Sequence, residues 1–227
     1  MIAYNKKQEQ DNKFELEKQT KYSKVQMLRQ YFLLSTNKIA LLATLLALQI
    51  LLTLFSKYAM GALVLFASAP YLKLEINYWV SAVVLISTNL FWGLIFTVAS
   101  AWMRLLLGSE PVGLLSLMLV DGSAIIGFAI VFYIVKKVFI HSNKLEIFIK
   151  FEILFVILSS IFATLFGSLV AYVSNVTFIF ELYGQKPNPA ILTITFLFTI
   201  IKLVINHAIF CLIYKRVKVL VKKLARA

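Results

Sequence analysis

Thr195, Thr199, Lys202 and Asn206 are spaced by four, three and four residues, which puts a cation, an amide and two hydroxyls on one face of a helix. They stand within Ile191–Tyr214, a 24-residue run dominated by apolar side chains. An ammonium near the middle of a bilayer costs about 2.5–3.5 kcal/mol on insertion scales, so such a residue usually faces a protein interior or a wet cavity. The competing account is a lysine that snorkels to the headgroups. Lys202 has roughly ten apolar-rich positions on either side, a long way to snorkel, and the cavity reading is the stronger. The chemistry of such a face is binding: the ammonium and amide donate to, and the amide and hydroxyls accept from, the polar edge of a small molecule.

Two further sets of residues bear on that reading. Ser160, Thr164, Ser168, Ala171 and Asn175 lie roughly along one face of the preceding apolar stretch, a small and polar stripe. Asp121 is the one clear acid in the interior of an apolar run, and an intramembrane carboxylate is a functional candidate by default. A structural ion pair is its opposing role and is slightly favoured. Arg104 is expected at the outer surface.

Catalytic signatures do not occur. The chain has no Gly-rich loop ending in Lys-Ser/Thr, no H-E-x-x-H and no G-x-S-x-G. The lone Cys211 cannot form a disulfide within the chain, and His141 and His207 sit on different segments. A non-enzymatic, metal-free and cofactor-free role is expected. An intramembrane enzyme or assembly factor using Asp121 and Arg104 is the alternative from another class.

The elements that must position these residues are membrane spans. The 227 residues are 61% hydrophobic, above the roughly 45–50% of a soluble domain, and the apolar residues fall in long runs. The expectation is an all-α, polytopic bundle of six transmembrane helices. They run over about 39–55, 74–92, 93–107, 112–135, 147–180 and 191–214, with a tight turn at Gly93. A polar and then amphipathic leader (1–37) precedes the six-helix domain (38–217), and a basic tail (218–227) follows it. The partly apolar stretch 56–74 reads as a loop able to cover a site, and Tyr78, Trp79, Trp92 and Trp102 as interface-belt residues. The 147–180 run exceeds one span, so its end must project, bend or unwind.

The net charge of +13 is segregated: eight Lys/Arg lie in 1–38, four in 136–150 and six after Tyr214. Basic segments stay cytoplasmic, which explains the charge without nucleic acid and places both termini inside a plasma-membrane protein. Ala40, Ala43 and Ala47 share one face of the first span, where small residues let another helix approach closely.

Several segments are similar to a known family. Asn175-Val-Thr-Phe-Ile-Phe-Glu181-Leu-Tyr183-Gly184 resembles a segment in which an Asn is followed by apolar residues and a Pro-x-Tyr-Gly end. Phe198-Thr199-Ile-Ile-Lys202-Leu-Val-Ile-Asn206, leading to Tyr214-Lys215-Arg216, looks like an Asn-x-x-Lys element, an Ile-Asn pair and a Tyr-Lys-Arg exit. Leu72-Lys73-Leu74-Glu75 and the Ala43/Ala47 pair are similar too. The family is the substrate-binding S-component of energy-coupling-factor (ECF) vitamin transporters, closest to the riboflavin branch. Thr199 stands where that branch carries Asn, and Glu181 where it carries Pro. The resemblance implies a vitamin held by Asn175, Lys202, Thr199, Asn206 and Thr195. It also implies a coupling transmembrane subunit with two ATPases, docked on Ala40, Ala43 and Ala47. Folate, thiamine or a nicotinate-type precursor are the alternative ligands.

Overall fold

The computed structural model describes residues 31–59, 72 and 74–224, with Gln26 and Arg29. Most of the leader and most of the 56–74 stretch lie outside the described residues. Among those described, every regular element is helical: α1 (Thr36–Tyr58), α2 (Tyr78–Ser87), α3 (Leu90–Met103), α4 (Pro111–His141), α5 (Leu145–Lys150), α6 (Glu152–Ser174) and α7 (Pro189–Leu224). Five helical segments are long and apolar enough to cross a membrane: α1, α3 with its 3-10 turn Arg104–Leu107, α4, α6 with its continuation to Leu182, and α7.

The sixth expected span is different in kind. α2 has ten residues, about 15 Å at 1.5 Å per residue, half of a bilayer core. It is also the most enclosed element: Tyr78, Val80, Ala82, Val84 and Leu85 are at most 1% exposed. It packs against α1, α3, α4 and α7. Its sequence, YWVSAVVLIS, is apolar all round, as suits a helix with protein on every side. Tyr78 is therefore a core residue and not part of an interface belt, whereas Trp102 is half exposed.

The turn expected at Gly93 falls four residues earlier. Thr88 Oγ1 donates to Val84 O and closes α2. Asn89 is extended, and its Oδ1 accepts from Trp92 N at 3.0 Å to start α3. Ser87-Thr88-Asn89 is a helix stop followed by an N-cap; Gly93 lies inside α3, where its missing side chain lets α3 close on Leu85 of α2.

The most extensive interface is α4 against α6, followed by α6 against α7. Close approach needs Gly167: a Cβ there would lie 3.0 Å from Leu203 Cδ1, 3.1 Å from Ala124 Cβ and 3.4 Å from the Val120 carbonyl. The stripe Ser160, Thr164, Ser168, Ala171, Asn175 faces this seam, and all five are buried. α4 and α7 outrun a bilayer core, at 31 and 36 residues or about 46 and 54 Å. Their excess carries Lys136, Lys137, Lys215, Arg216 and Lys218 to one end of the bundle. The expected connection 136–150 is thus largely helical, and the basic tail from 218 continues α7 rather than standing apart.

Candidate functional site

At the opposite end, six elements converge on a cavity of about 790 Å³, within the roughly 300–1,000 Å³ usual for small-molecule sites. The end of α1 contributes Thr53, Ser56 and Lys57, and the segment before α2 contributes Leu72 and Glu75. Arg104, Leu107 and Gly108 come from the end of α3, and Gly113, Leu114, Leu117 and Val120 from the start of α4. α6 and its continuation add Ala171, Asn175, Ile179 and Phe180; α7 adds Thr195, Phe198, Thr199 and Lys202.

Asn175 reaches this wall through a local change of helix. The run from Glu152 to Leu182 does not unwind; it passes through a π-helical turn, Asn175–Ile179, in which Phe180 N donates to Asn175 O. One residue is added to the turn, and such π-bulges are frequent at functional sites. The run expected to project, bend or unwind stays helical to Leu182.

Four of the five residues expected to touch a ligand, Asn175, Thr195, Thr199 and Lys202, line the cavity together. Thr195 and Thr199 donate to the carbonyls four residues back, at 2.9 and 2.8 Å, so each hydroxyl offers its oxygen as an acceptor. Asn206 does not line the cavity. One turn further along α7, its Nδ2 donates to Glu75 O and Lys202 O, both at 2.8 Å, and its Oδ1 accepts from Trp79 N at 3.3 Å. It fastens α7 to the start of α2, a structural task.

The electrostatics are those of paired buried charges. Lys202, 5% exposed, donates from Nζ to Asp121 Oδ1 at 2.9 Å; Asp121 is 4% exposed and does not itself line the cavity. Arg104 is 4% exposed, not at the outer surface as expected, and its Nη1 donates to both oxygens of Glu75 at 2.7 Å. Burial pushes the Glu75 carboxyl up, but Arg104, with help from Lys202, outweighs this and holds it below its ordinary value. The ion pair favoured for Asp121 is thus present, with Lys202 as its partner; the pairing of Glu75 with Arg104 was not legible.

Sequence reasoning also passed over His207. It is buried, and its Nδ1 lies 3.0 Å from Thr164 Oγ1, which is also within hydrogen-bond distance of Ser160 O. The signal was its place one residue after Asn206, facing the polar stripe of α6.

The alanines assigned to docking lie elsewhere. Ala40, Ala43 and Ala47 are exposed on the open face of α1, opposite the buried Leu45, Gln49 and Thr53.

Fold and site together define, among the described residues, an all-helical protein with five helices long and apolar enough to span a membrane and a cavity between their ends. Comparison with protein-family models, with curated proteins and with solved structures gives no match.

Proposed function

We propose that the protein is the membrane-embedded vitamin-binding subunit, riboflavin favoured, of an ECF-type importer. It captures its ligand from outside and releases it inside when driven by a coupling transmembrane subunit and two ATPases. The observation that carries this reading is the joint presence of Asn175, Thr199 and Lys202 in the wall of one cavity of about 790 Å³. A flat heteroaromatic ring presents amide-like edges. Asn175 can donate and accept along such an edge, and Lys202 can donate to a carbonyl from a position already balanced by Asp121. Phe180 and Phe198 supply apolar wall. The segregation of basic residues at the far end supports an outward-facing cavity in the plasma membrane with both termini inside. The exposed alanine face of α1 supports a partner helix at that surface.

Thr199, in place of the Asn of riboflavin binders, favours a second reading: the same role for another vitamin such as folate, thiamine or a nicotinate-type precursor. An enzymatic or assembly role would rest on Asp121 and Arg104, each of which is engaged in an ion pair.

The test is ligand binding by the purified full-length protein, read by flavin fluorescence and by thermal shift. A ligand that binds the folded state alone raises apparent stability. Riboflavin is expected to raise the Tm, and Asn175→Ala to weaken binding at least tenfold while leaving the Tm of the free protein nearly unchanged. Riboflavin affinity unaltered in Asn175→Ala would remove the cavity from the account.

A further inference from the structure

The end of the bundle away from the cavity gathers cations from three elements. Lys137 stands near the end of α4, Lys144 precedes α5 and Lys150 ends it, and Lys215 and Arg216 lie on the projecting part of α7. All five are exposed. Packing brings these elements to one place. Phe148, the buried residue of α5, lies 6.0 Å from the rings of Phe132 and Phe139 on α4 and stacks on Phe155 of α6 at 5.4 Å. Glu152, at the start of α6, accepts from Tyr214 Oη at 2.8 Å and from Lys218 Nζ at 2.6 Å, both on α7. Glu152 is thereby engaged with Lys218. Among the described residues no ion pair involves any of the five cations. Glu146, the other acid of this connection, is exposed to solvent, which screens it.

Helix length sets the depth of these residues. Lys137 and Lys215 each stand 26 residues after the proline that opens its helix, Pro111 and Pro189. At 1.5 Å per residue that is about 39 Å, and a bilayer with its headgroups is about 40–45 Å thick. Helices that begin in one headgroup layer therefore carry these residues into the other. Apolar side chains are exposed at the same end. Ile147 and Phe151 are each 43% exposed on either side of the buried Phe148, and Lys150 Nζ lies 5.5 Å from the centroid of the Phe151 ring. Cations for phosphates, with apolar side chains for the boundary beneath them, match a headgroup layer of anionic lipid.

We infer that this end of α4, α5 and α7 is a docking surface for anionic phospholipid. Headgroup phosphates are held by Lys137, Lys144, Lys150, Lys215 and Arg216, while Ile147 and Phe151 enter the layer beneath. The inference depends on the membrane-spanning helices and not on which compound the cavity takes. It also gives a task to α5, which is too short to span a membrane: a foot that holds the bundle at its depth.

Thermal unfolding of the full-length protein in nanodiscs tests it, with phosphatidylcholine alone against phosphatidylcholine mixed with phosphatidylglycerol. The mixed bilayer is expected to raise the Tm by about 4 °C at low salt, and the rise should shrink as salt screens the charges. The fourfold variant Lys144→Gln/Lys150→Gln/Lys215→Gln/Arg216→Gln should lose the rise. Its Tm in phosphatidylcholine alone should stay within about 1 °C of wild type, since all four positions are exposed. The charge-keeping variant Lys144→Arg/Lys150→Arg should retain the rise, and so should Lys186→Gln, which alters an exposed cation in the loop between α6 and α7. Equal Tm values for wild type in the two bilayers, or an undiminished rise in the fourfold variant, overturn the lipid surface. Loss of the rise in Lys186→Gln would trace it to net charge and overturn the surface as well. The same rise produced by inorganic phosphate in phosphatidylcholine alone would replace the lipid by a free anion.

Discussion

The Lys202–Asp121 pair shows what a buried charge needs. Each ion alone in a low-dielectric interior carries a desolvation penalty of several kcal/mol, which the partner offsets when geometry is good. At 2.9 Å, with Lys202 on the cavity wall and Asp121 behind it, the acid holds the ammonium in place. Asp121→Leu should leave an uncompensated cation and cost about 3–5 kcal/mol. The double variant Asp121→Leu/Lys202→Met should recover most of that loss, because an apolar pair replaces an ionic one. Thermal unfolding of the single and double variants checks this. Equal Tm losses in both would mean that Asp121 contributes by something other than the pair. Ligand binding should be lost in the double variant in spite of its recovered stability, which separates the fold of this site from its use.

At the scale of the element, the decisive features are interruptions and close approaches. α2 ends where Thr88 bonds back to its own helix and Asn89 caps the next one, so a single apolar run becomes a buried ten-residue core helix and a spanning helix. The π turn Asn175–Ile179 continues α6, and Asn175 lines the cavity. Gly167 permits the approach of α6 to both α4 and α7. Gly167→Val would push branched carbons against Ala124 Cβ, at 3.1 Å from the Cβ position, and against Leu203 Cδ1, at 3.0 Å. Leu203 can rotate its tip away, but a helical Ala124 can move only with its backbone. A loss of about 1–3 kcal/mol is expected from such overpacking, with Gly167→Ala milder. Unfolding in denaturant compares them, and a valine variant as stable as wild type would show that the seam is looser than its distances.

The whole molecule has two ends of different character. One gathers Lys136, Lys137, Lys215, Arg216 and Lys218; the other opens into the cavity. Between them α1 is applied by one face only, its buried residues Leu45, Gln49, Thr53 and Ser56 turned toward α2 and α3. The outer face keeps Ala40, Ala43 and Ala47 free. On the proposed reading that face receives the coupling subunit, at some distance from the bound ligand. Ala43→Trp or Ala47→Trp should abolish uptake by cells while leaving ligand affinity of the purified protein within about twofold, since neither residue lines the cavity. Uptake assays paired with titration check it. A matching loss of affinity would assign these alanines to internal packing.

How much of this was written in the residues divides along a physical line. Helical periodicity is local, so spacing alone put Thr195, Thr199 and Lys202 on one face and made Ser160 to Asn175 a stripe, and both faces turn inward. Hydropathy made five of the long runs apolar enough to span a membrane, while the fifth run, expected to project, bend or unwind, stays helical through its π turn. Partnership is not local. Lys202 and Asp121 are 81 residues apart, and Asn206 and Glu75 are 131 apart. Nothing in spacing tells which acid among several meets which cation, nor that Asn206, on the same face as Lys202, fastens α2 instead of lining the cavity. Arg104 was expected at the outer surface because it stands near the end of an apolar run; its pairing with both oxygens of Glu75 reverses that. Hydrophobicity also could not separate a helix bathed in lipid from α2, enclosed by protein, since both ask for apolar residues all round. Which surfaces face lipid, which face each other and which enclose space was decided when the helices packed.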